Sequence, residues 1–220
     1  MSHLDYKLLI FDWDGTLVNS IGRIVESMHA ASTRSGYALC TDHAVKGIIG
    51  LGLPEAIRTL YPEISDAELV TFRDHYADHY IALEATPSPL FDGVVQSLDA
   101  FRAEGYHLAV ATGTARRGLD RVLKAHGWGD YFDATRAADE TASKPHPLML
   151  EQILAHCGVS PRQALMVGDA SFDLMMARNA GMDSVAVSYG AQSAQALQAY
   201  EPRLTIDRFS ELRAWLSQSH

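Results

Sequence analysis

The sequence predicts an α/β fold in which a parallel sheet carries an α-helical insertion. Three observations support this prediction. Four short apolar runs recur along the 220-residue chain, stretches with helical periodicity separate them, and one long interval near the N-terminus contains no strand pattern. Unbroken apolar runs are typical of strands that are buried on both faces, as in parallel sheets covered by helices.

The first predicted strand is the run LLIF at residues 8–11, which follows Lys7 and ends at Asp12. Three later runs have the same character and predict central strands. Weaker patterns predict two edge strands, FDAT and LTI. The central runs are HLAVAT at 107–112, ALMVG at 164–168 and SVAV at 184–187, and the edge runs are at 132–135 and 204–206.

Amphipathic stretches between these runs predict the helices that cover the sheet. Glycines just past four of the stretches are typical of helix ends. The predicted helices are residues 92–104, 115–126, 147–157, 172–180 and 209–217, and the glycines are Gly105, Gly127, Gly158 and Gly181.

The interval without strands predicts a separate helical domain. Ile21, Ile24, Val25 and Met28 have helical spacing. A Pro-containing segment at 86–89 and the turn near Gly15 are the predicted points where the chain leaves and re-enters the sheet. We therefore predict a helical domain at residues 17–86, and a core at residues 1–16 and 87–220.

Composition excludes several classes of protein. A formal net charge of −9 argues against a nucleic-acid partner, because phosphate-backbone binding needs clustered Lys and Arg. Cys40 and Cys157 are far apart and lack the spacing of a zinc site, which favours a reducing compartment. The apolar run LLIF is too short for a signal peptide or a membrane span. We therefore expect a cytoplasmic protein with no membrane partner.

Polar residues follow the predicted strands where a parallel sheet forms its ligand crevice. DWDGT at 12–16, TGT at 112–114 and GDASFD at 168–173 follow three of the runs, and Ser143-Lys144-Pro145 precedes the third. Four acids in one crevice would repel one another unless their pKa values rise or a cation joins them. Oxygen ligands of this kind favour Mg²⁺, held by Asp12 and Asp169 beside a phosphate.

These four motifs, in this order and at these intervals, resemble the motifs of the haloacid dehalogenase superfamily over the whole chain. The helical insertion after the first motif is similar to the cap of its phosphoglycolate phosphatase and β-phosphoglucomutase branch. Segments such as VNSIGRIVESM, IIGLGLPEAI and DLMMARNAGM carry that further likeness. The resemblance implies a Rossmann-like core with a helical cap and a Mg²⁺-dependent phosphatase, with phosphoglycolate as the first expected substrate.

The resemblance also implies a role for each motif residue. Asp12 is the expected nucleophile, and an ordinary carboxylate pKa of ~4 leaves it ionised at pH 7. Asp14 is the expected general acid and base, and its backbone carbonyl is expected to reach the metal. The remaining expected roles are phosphate binding by Gly15, Thr112, Gly113 and Lys144, metal binding by Asp169 with Asp12, and orientation of metal-bound water or Lys144 by Asp173.

Rival functions stay open at this stage. A phosphomutase of the same branch would pass the phosphoryl group to a second hydroxyl, and a non-catalytic interaction protein would normally lack one of the motif residues. A dehalogenase would not have a carboxylate at Asp14. Asn19 stands where relatives often have Asp, which we expect to affect cap closure or substrate preference. The partner is expected to be a small phosphorylated metabolite, and the protein a monomer or small homo-oligomer.

Several residues outside the motifs have two readings. For most of them we favour an ordinary surface or loop role over a functional one. The residues are His75 and His79 (a metal pair or a solvated stripe), Gly50 to Gly52 (a cofactor loop or a loop before a cap helix), Arg116, Arg117 and His146 (phosphate contacts or surface residues), and Lys46 and Arg58 (cap contacts for a substrate anion or surface charge).

Overall fold

A computed structural model describes residues 5–217. Its core is one sheet of six parallel strands in the order β3-β2-β1-β4-β5-β6. The predicted α/β class, with a parallel sheet and a helical insertion, is confirmed. The strands are β1 (Leu8–Phe11), β2 (His107–Thr112), β3 (Ala134–Ala137), β4 (Ala164–Gly168), β5 (Asp183–Val187) and β6 (Leu204–Ile206).

Strand β3 lies two residues later than its predicted range of 132–135. The Asp133 carboxylate accepts a hydrogen bond from the Leu108 backbone N–H at 2.8 Å. A side-chain oxygen of Asp133 therefore accepts the hydrogen bond that a backbone carbonyl would accept in a regular ladder. The pairing of β2 with β3 starts at the next residue of each strand, between Ala109 and Ala134. The other predicted strands agree with the structure to within one residue.

Ten α-helices lie between residues 5 and 217, six of them in the sheet domain. The predicted helix at 92–104 begins later, at Val94, because Gly93 has a left-handed φ of 80° that no regular helix contains. The helices are α1 (Ile21–Arg34), α2 (Asp42–Lys46), α3 (Leu53–Leu60), α4 (Asp66–Leu83), α5 (Val94–Ala103), α6 (Arg116–Ala125), α7 (Leu148–Cys157), α8 (Ser171–Asn179), α9 (Ala194–Gln198) and α10 (Ser210–Ser217).

Helices cover both faces of the sheet, as the apolar strands require. Successive side chains of a strand point to opposite faces. Leu9 and Phe11 of β1 therefore join one apolar cluster, and Leu8 and Ile10 join the other. All four side chains are fully buried, which fixes β1 at the centre of the core.

Helices α1 to α4 form a third apolar cluster of their own, which includes Met28, Ile57 and Phe72. The chain enters and leaves this group side by side, since the Asn19 N–H donates to the Pro89 carbonyl at 2.9 Å. This arrangement is what a cap inserted between residues 17 and 86 requires, and those boundaries stay a prediction.

Residues 1–4 and 218–220, which belong to the predicted core range and to the N-terminal segment, lie outside the described residues. Across residues 5–217, the helices are either too short or too polar to cross a bilayer.

Candidate active site

Four loops meet at the carboxyl edge of the central strands. Asp12 follows β1, Thr112 ends β2, and Asp169 follows β4. Because β1 lies between β2 and β4, these loops are neighbours. The fourth loop precedes α7 and supplies Lys144. The structure thus brings the four sequence motifs into one crevice.

Lys144 lies at the centre of this crevice and is fully buried. Its Nζ is 2.8 Å from Oδ1 of Asp12 and 2.7 Å from Oδ1 of Asp173. Burial alone would lower the pKa of Lys144, but the charges of Asp12 and Asp173 outweigh it and raise the pKa above its ordinary value. Lys144 is therefore a fixed cation between two carboxylates.

Asp12, Asp169 and Asp173 are buried, and each offers a carboxylate oxygen within 4.8 Å of the others. Burial raises the pKa of Asp12 well above its ordinary value, and Lys144 offsets only part of this. Burial, with the charge of Asp173, also raises the pKa of Asp169 to about 7. The buried surroundings thus give Asp12 a higher pKa than the ordinary carboxylate value that we expected from the sequence. Three carboxylates face one ammonium, a charge balance that a divalent cation with oxygen ligands would complete.

Asp169 is held rigidly by the loops after β1 and β5. Its Oδ1 accepts from the Thr16 hydroxyl at 3.0 Å, and its Oδ2 accepts from the Ala191 backbone N–H at 2.7 Å. Glycine is required on both sides, because a Cβ at Gly15 or Gly190 would lie 2.2 Å from an atom of Asp169. Gly15 also has a φ of +81°, which favours glycine.

Asp14 points away from this cluster and towards the helical insertion. Its Oδ1 accepts from the Ser20 hydroxyl at 2.6 Å, and its Oδ2 accepts from the Thr114 hydroxyl at 2.7 Å. Asp14 is 8% exposed and lines a cavity that lies between the insertion and the core. The two hydroxyl donors fix both oxygens in place at the boundary between the crevice and the helical insertion.

Thr112 and Gly113 lie across the crevice from Asp169. The Thr112 hydroxyl is buried and accepts from the Thr114 backbone N–H at 3.1 Å. Gly113 lies under the loop before α3, where a Cβ would be 2.4 Å from the Leu51 carbonyl oxygen and 2.7 Å from that of Gly50. The same loop is tied to the core by the Gly52 N–H, which donates to Ser143 at 2.8 Å. The segment at 50–52 is thus a loop before a helix of the insertion, as we favoured over a cofactor loop, and it contacts the core.

A cavity of about 810 Å³ extends from Asp12 and Asp14 between helices α4 and α6. Its floor is the catalytic crevice, and its walls come from both the insertion and the core. Residues of the walls include Ile24, Met28, Ile49, Leu51, Tyr76 and Tyr80 from the insertion, and Thr114, Arg117 and Arg121 from the core.

The structure corrects two expectations about the cap. Arg58 does not line this cavity, because its guanidinium binds Asp66 at 2.5 Å. Lys46 lines a separate hollow beside Asn19. Neither residue is placed to contact a substrate anion, and Arg73 is the cap arginine that reaches the cavity.

His75 and His79 form neither a metal pair nor a solvated stripe. His75 Nδ1 lies 2.9 Å from the Ser35 hydroxyl, and His79 Nδ1 lies 3.2 Å from the Ser27 hydroxyl. Both rings are half-buried, so they join α4 to α1. Two neighbouring histidines on one helix thus have a structural role.

The structure also shows the surroundings of Arg116, Arg117 and His146, each of which had two possible roles. Arg116 binds Glu140 at 2.6 Å and Asp120 at 3.1 Å, which makes it part of an ion-pair network. Arg117 is exposed and lines the cavity. His146 accepts from the Leu148 backbone N–H at 3.2 Å, as a loop residue does.

Sequence reasoning missed five residues that build the site: Thr16, Ser20, Thr114, Gly190 and Ala191. Thr16 and Thr114 lie inside two of the quoted motifs and Ser20 follows the first, so their polar character was the available signal. Gly190 and Ala191 follow the run SVAV, and the rule that ligands lie after parallel strands would have pointed to them.

Comparison with known proteins agrees with this geometry. The family model described as haloacid dehalogenase-like hydrolase matches residues 9–187. A protein of Dickeya dadantii named "Probable phosphatase IndB" is 34% identical over 93% of this chain and 91% of its own. A phosphoglycolate phosphatase of Vibrio vulnificus (strain YJ016) is 30% identical over 96% of both chains.

Solved structures show the same fold. A hydrolase from Pseudomonas syringae superposes with a TM-score of 0.89 over 97% of this chain and 98% of its own, at 21% identity. Because the family match spans most of the chain and includes Asp12, Lys144 and Asp169, the chain belongs to the haloacid dehalogenase-like hydrolase family.

Proposed function

We propose that this phosphatase hydrolyses a small phosphomonoester through an aspartyl phosphate formed on Asp12, with Mg²⁺ as cofactor. The single observation that carries the proposal is the placement of Lys144 between Asp12 and Asp173, next to Asp169. This arrangement places a cation and the proposed metal ligands beside the proposed nucleophile, where they would stabilise the charge of a transferred phosphoryl group.

The donor set fits Mg²⁺. Asp12 and Asp169, with the backbone carbonyl of Asp14, are the proposed ligands, and all the donors are hard oxygens. When bound, the ion neutralises charge on the phosphoryl oxygens and on the carboxylates. Asp173 supports the site by holding Lys144, as its 2.7 Å contact indicates.

In the first half-reaction, a carboxylate oxygen of Asp12 attacks phosphorus and the ester P–O bond breaks. The departing alkoxide takes a proton from Asp14, which lies between the crevice and the cavity. Lys144 favours the ionised form of Asp12 and offsets the charge of the phosphoryl group. Thr112 and the Gly113 N–H bind phosphoryl oxygens, and Gly15 lets the chain approach closely.

In the second half-reaction, water attacks the phosphorus of the aspartyl phosphate. Asp14, now a carboxylate, accepts the proton of this water, and the P–O bond to Asp12 breaks to release phosphate. Ser20 and Thr114 hold the two oxygens of Asp14 in place for both proton transfers.

The substrate side of the proposal rests on the cavity and on the relatives. A cavity of about 810 Å³ next to Asp14 suits a small phosphorylated metabolite. Phosphoglycolate is the named substrate class of one relative and so belongs in any panel tested. We also infer a cytoplasmic location from the two separate cysteines, because such sparse cysteine usage fits a reducing compartment.

The proposal is tested by measuring phosphate release from a panel of phosphomonoesters, with Mg²⁺ and then with a chelator. We expect release that depends on the metal and is abolished by Asp12→Asn. The matched control is Asp130→Asn, an exposed Asp in the same domain, which should keep full activity. Activity that survives the chelator or the Asp12→Asn substitution would overturn the proposal.

A further inference from the structure

The cap wall of the main cavity is mostly apolar. The side chains that face the cavity from α1, α3 and the loops around α3 are aliphatic or thioether groups with no charge. They are Ile24, Met28, Ile48, Ile49, Leu51 and Leu53.

Two tyrosines of α4 add an aromatic surface to this wall. The rings of Tyr76 and Tyr80 are stacked, with centroids 5.8 Å apart and planes inclined by 21°. Burial raises the pKa of both phenols, and the charge of Asp14 is a smaller cause. Both side chains are thus neutral and close to the catalytic acid.

The charged residues of the cavity do not favour an anionic leaving group. The cap contributes Arg73 against three acids, Asp74, Asp78 and Glu84. On the core side, Arg121 is bound to Glu84 through contacts of 2.9 Å and 3.3 Å. Arg117 also lines the cavity from the core, so three arginines face three acids on its walls. A second carboxylate on the substrate, such as that of phosphoglycolate, would therefore meet no net positive charge there.

We propose that the cap wall is a binding subsite for a neutral, apolar leaving group of about the size of an aromatic ring. The inference rests on the proposed phosphatase function, because the subsite is continuous with Asp12 and Asp14. The group lies against Tyr76, Tyr80 and the aliphatic side chains while its phosphate occupies the crevice. The cavity is large enough, since about 810 Å³ is within the range of pockets for organic molecules of drug size.

The test compares three substrates with purified enzyme and Mg²⁺: ethyl phosphate, 2-phenylethyl phosphate and phosphoglycolate. The first two release similar primary alcohols, so a difference between them reports binding of the ring. We expect kcat/KM for 2-phenylethyl phosphate to exceed that for ethyl phosphate by about tenfold or more, from burial of the ring. We also expect it to exceed that for phosphoglycolate.

A substitution in the subsite gives a second test. In Tyr76→Ala, the ratio of kcat/KM for 2-phenylethyl phosphate to that for ethyl phosphate should fall about three- to tenfold. The control is Tyr37→Ala, a half-buried tyrosine of the same apolar cluster that does not line the cavity, and it should leave the ratio unchanged.

Two substitutions at exposed positions of α4 test the subsite with little risk that the variant fails to fold. Ile81 is 44% exposed and lines the cavity, whereas Val70 is 55% exposed and does not. Ile81→Ser should lower the same ratio, and Val70→Ser should not. Equal effects of the two substitutions would overturn the subsite.

The outcomes separate this inference from the function on which it rests. If phosphoglycolate or ethyl phosphate is hydrolysed as well as 2-phenylethyl phosphate, the subsite is wrong and the phosphatase stands. If neither these three esters nor any phosphomonoester of the wider panel releases phosphate while the protein is folded, both are wrong.

Discussion

A single buried lysine sets the charge balance of the site. Lys144 contacts Asp12 and Asp173 at once and is held by them as a cation. Removing one member of a buried ion pair leaves an uncompensated charge, which is far more costly than loss of a surface pair. We therefore expect the lysine to contribute to stability as well as to the proposed phosphoryl transfer.

We predict that Lys144→Met lowers the free energy of unfolding by about 3 kcal/mol in a chelator, because it leaves the buried carboxylates without a counter-charge. Asp173→Asn in the same chain should recover part of this loss, which urea denaturation of the single and double variants would measure. Lys124→Met, at an exposed position of α6, is the control and should change little. Strictly additive effects of Lys144→Met and Asp173→Asn would contradict the shared contact.

Sequence alone could place some of these residues but not others. The sequence could predict that Asp12, Thr112 and Asp169 belong to the site, because each ends or follows an apolar run. The hydrogen bond from Thr114 to Asp14 joins residues that are 100 positions apart, and no local pattern encodes it. The partners of a catalytic side chain emerge only when the loops are packed together.

At the scale of elements, the loop before α3 joins the insertion to the core through direct contacts. The carbonyl oxygens of Gly50 and Leu51 lie over Gly113, and Ser143 accepts from the Gly52 N–H. Gly113, a proposed phosphate contact, thus also lies against the insertion. We therefore expect a small displacement of this loop to change the geometry of the crevice.

Gly113→Ala should lower kcat/KM by about 100-fold, because its Cβ forces the loop or the phosphate-binding backbone to shift. Steady-state kinetics measures the effect, and circular dichroism should show an intact fold. Gly129→Ala is the control, since a Cβ there meets nothing within 4 Å. Wild-type activity in Gly113→Ala would show that the close approach has no functional role.

Elements differ in how well the sequence predicts them. The strand at 107–112 was predicted to the residue because an apolar run has clear ends. The start of β3 depends on the Asp133 side chain, and the direction of Arg58 depends on Asp66 of another helix. Such contacts are tertiary, so helix periodicity could not decide which cap residues reach the cavity.

At the scale of the whole molecule, the fold concentrates buried carboxylates where three parallel strands end. Burial, with the charge of Asp173, raises the pKa of Asp169 to about 7 in the folded protein, against an ordinary value of 3.8. Between these two pH values the folded state holds a proton that the unfolded state has released. Its stability therefore falls as pH rises through this window, unless a cation replaces the proton.

In a chelator, we predict that the free energy of unfolding falls by a few kcal/mol between about pH 5 and about pH 8, and that Mg²⁺ restores more of it at the higher pH. Thermal or urea unfolding at several pH values measures both effects. Asp169→Asn, which cannot ionise, should have a flatter profile in the chelator. Equal stabilisation by Mg²⁺ at both pH values would contradict the competition between proton and metal.

The central claim is that Asp12 carries the phosphoryl group, and the most direct measurement locates that group on the chain. Asp14→Asn is mixed with Mg²⁺ and an activated aryl phosphate, quenched in acid, and digested for peptide mass spectrometry. An aryl leaving group needs little protonation, so the first step proceeds while hydrolysis stalls without the base. We predict a phosphoryl group on Asp12, and none when Asp12→Asn is added. A phosphoryl group on any other residue would contradict the account.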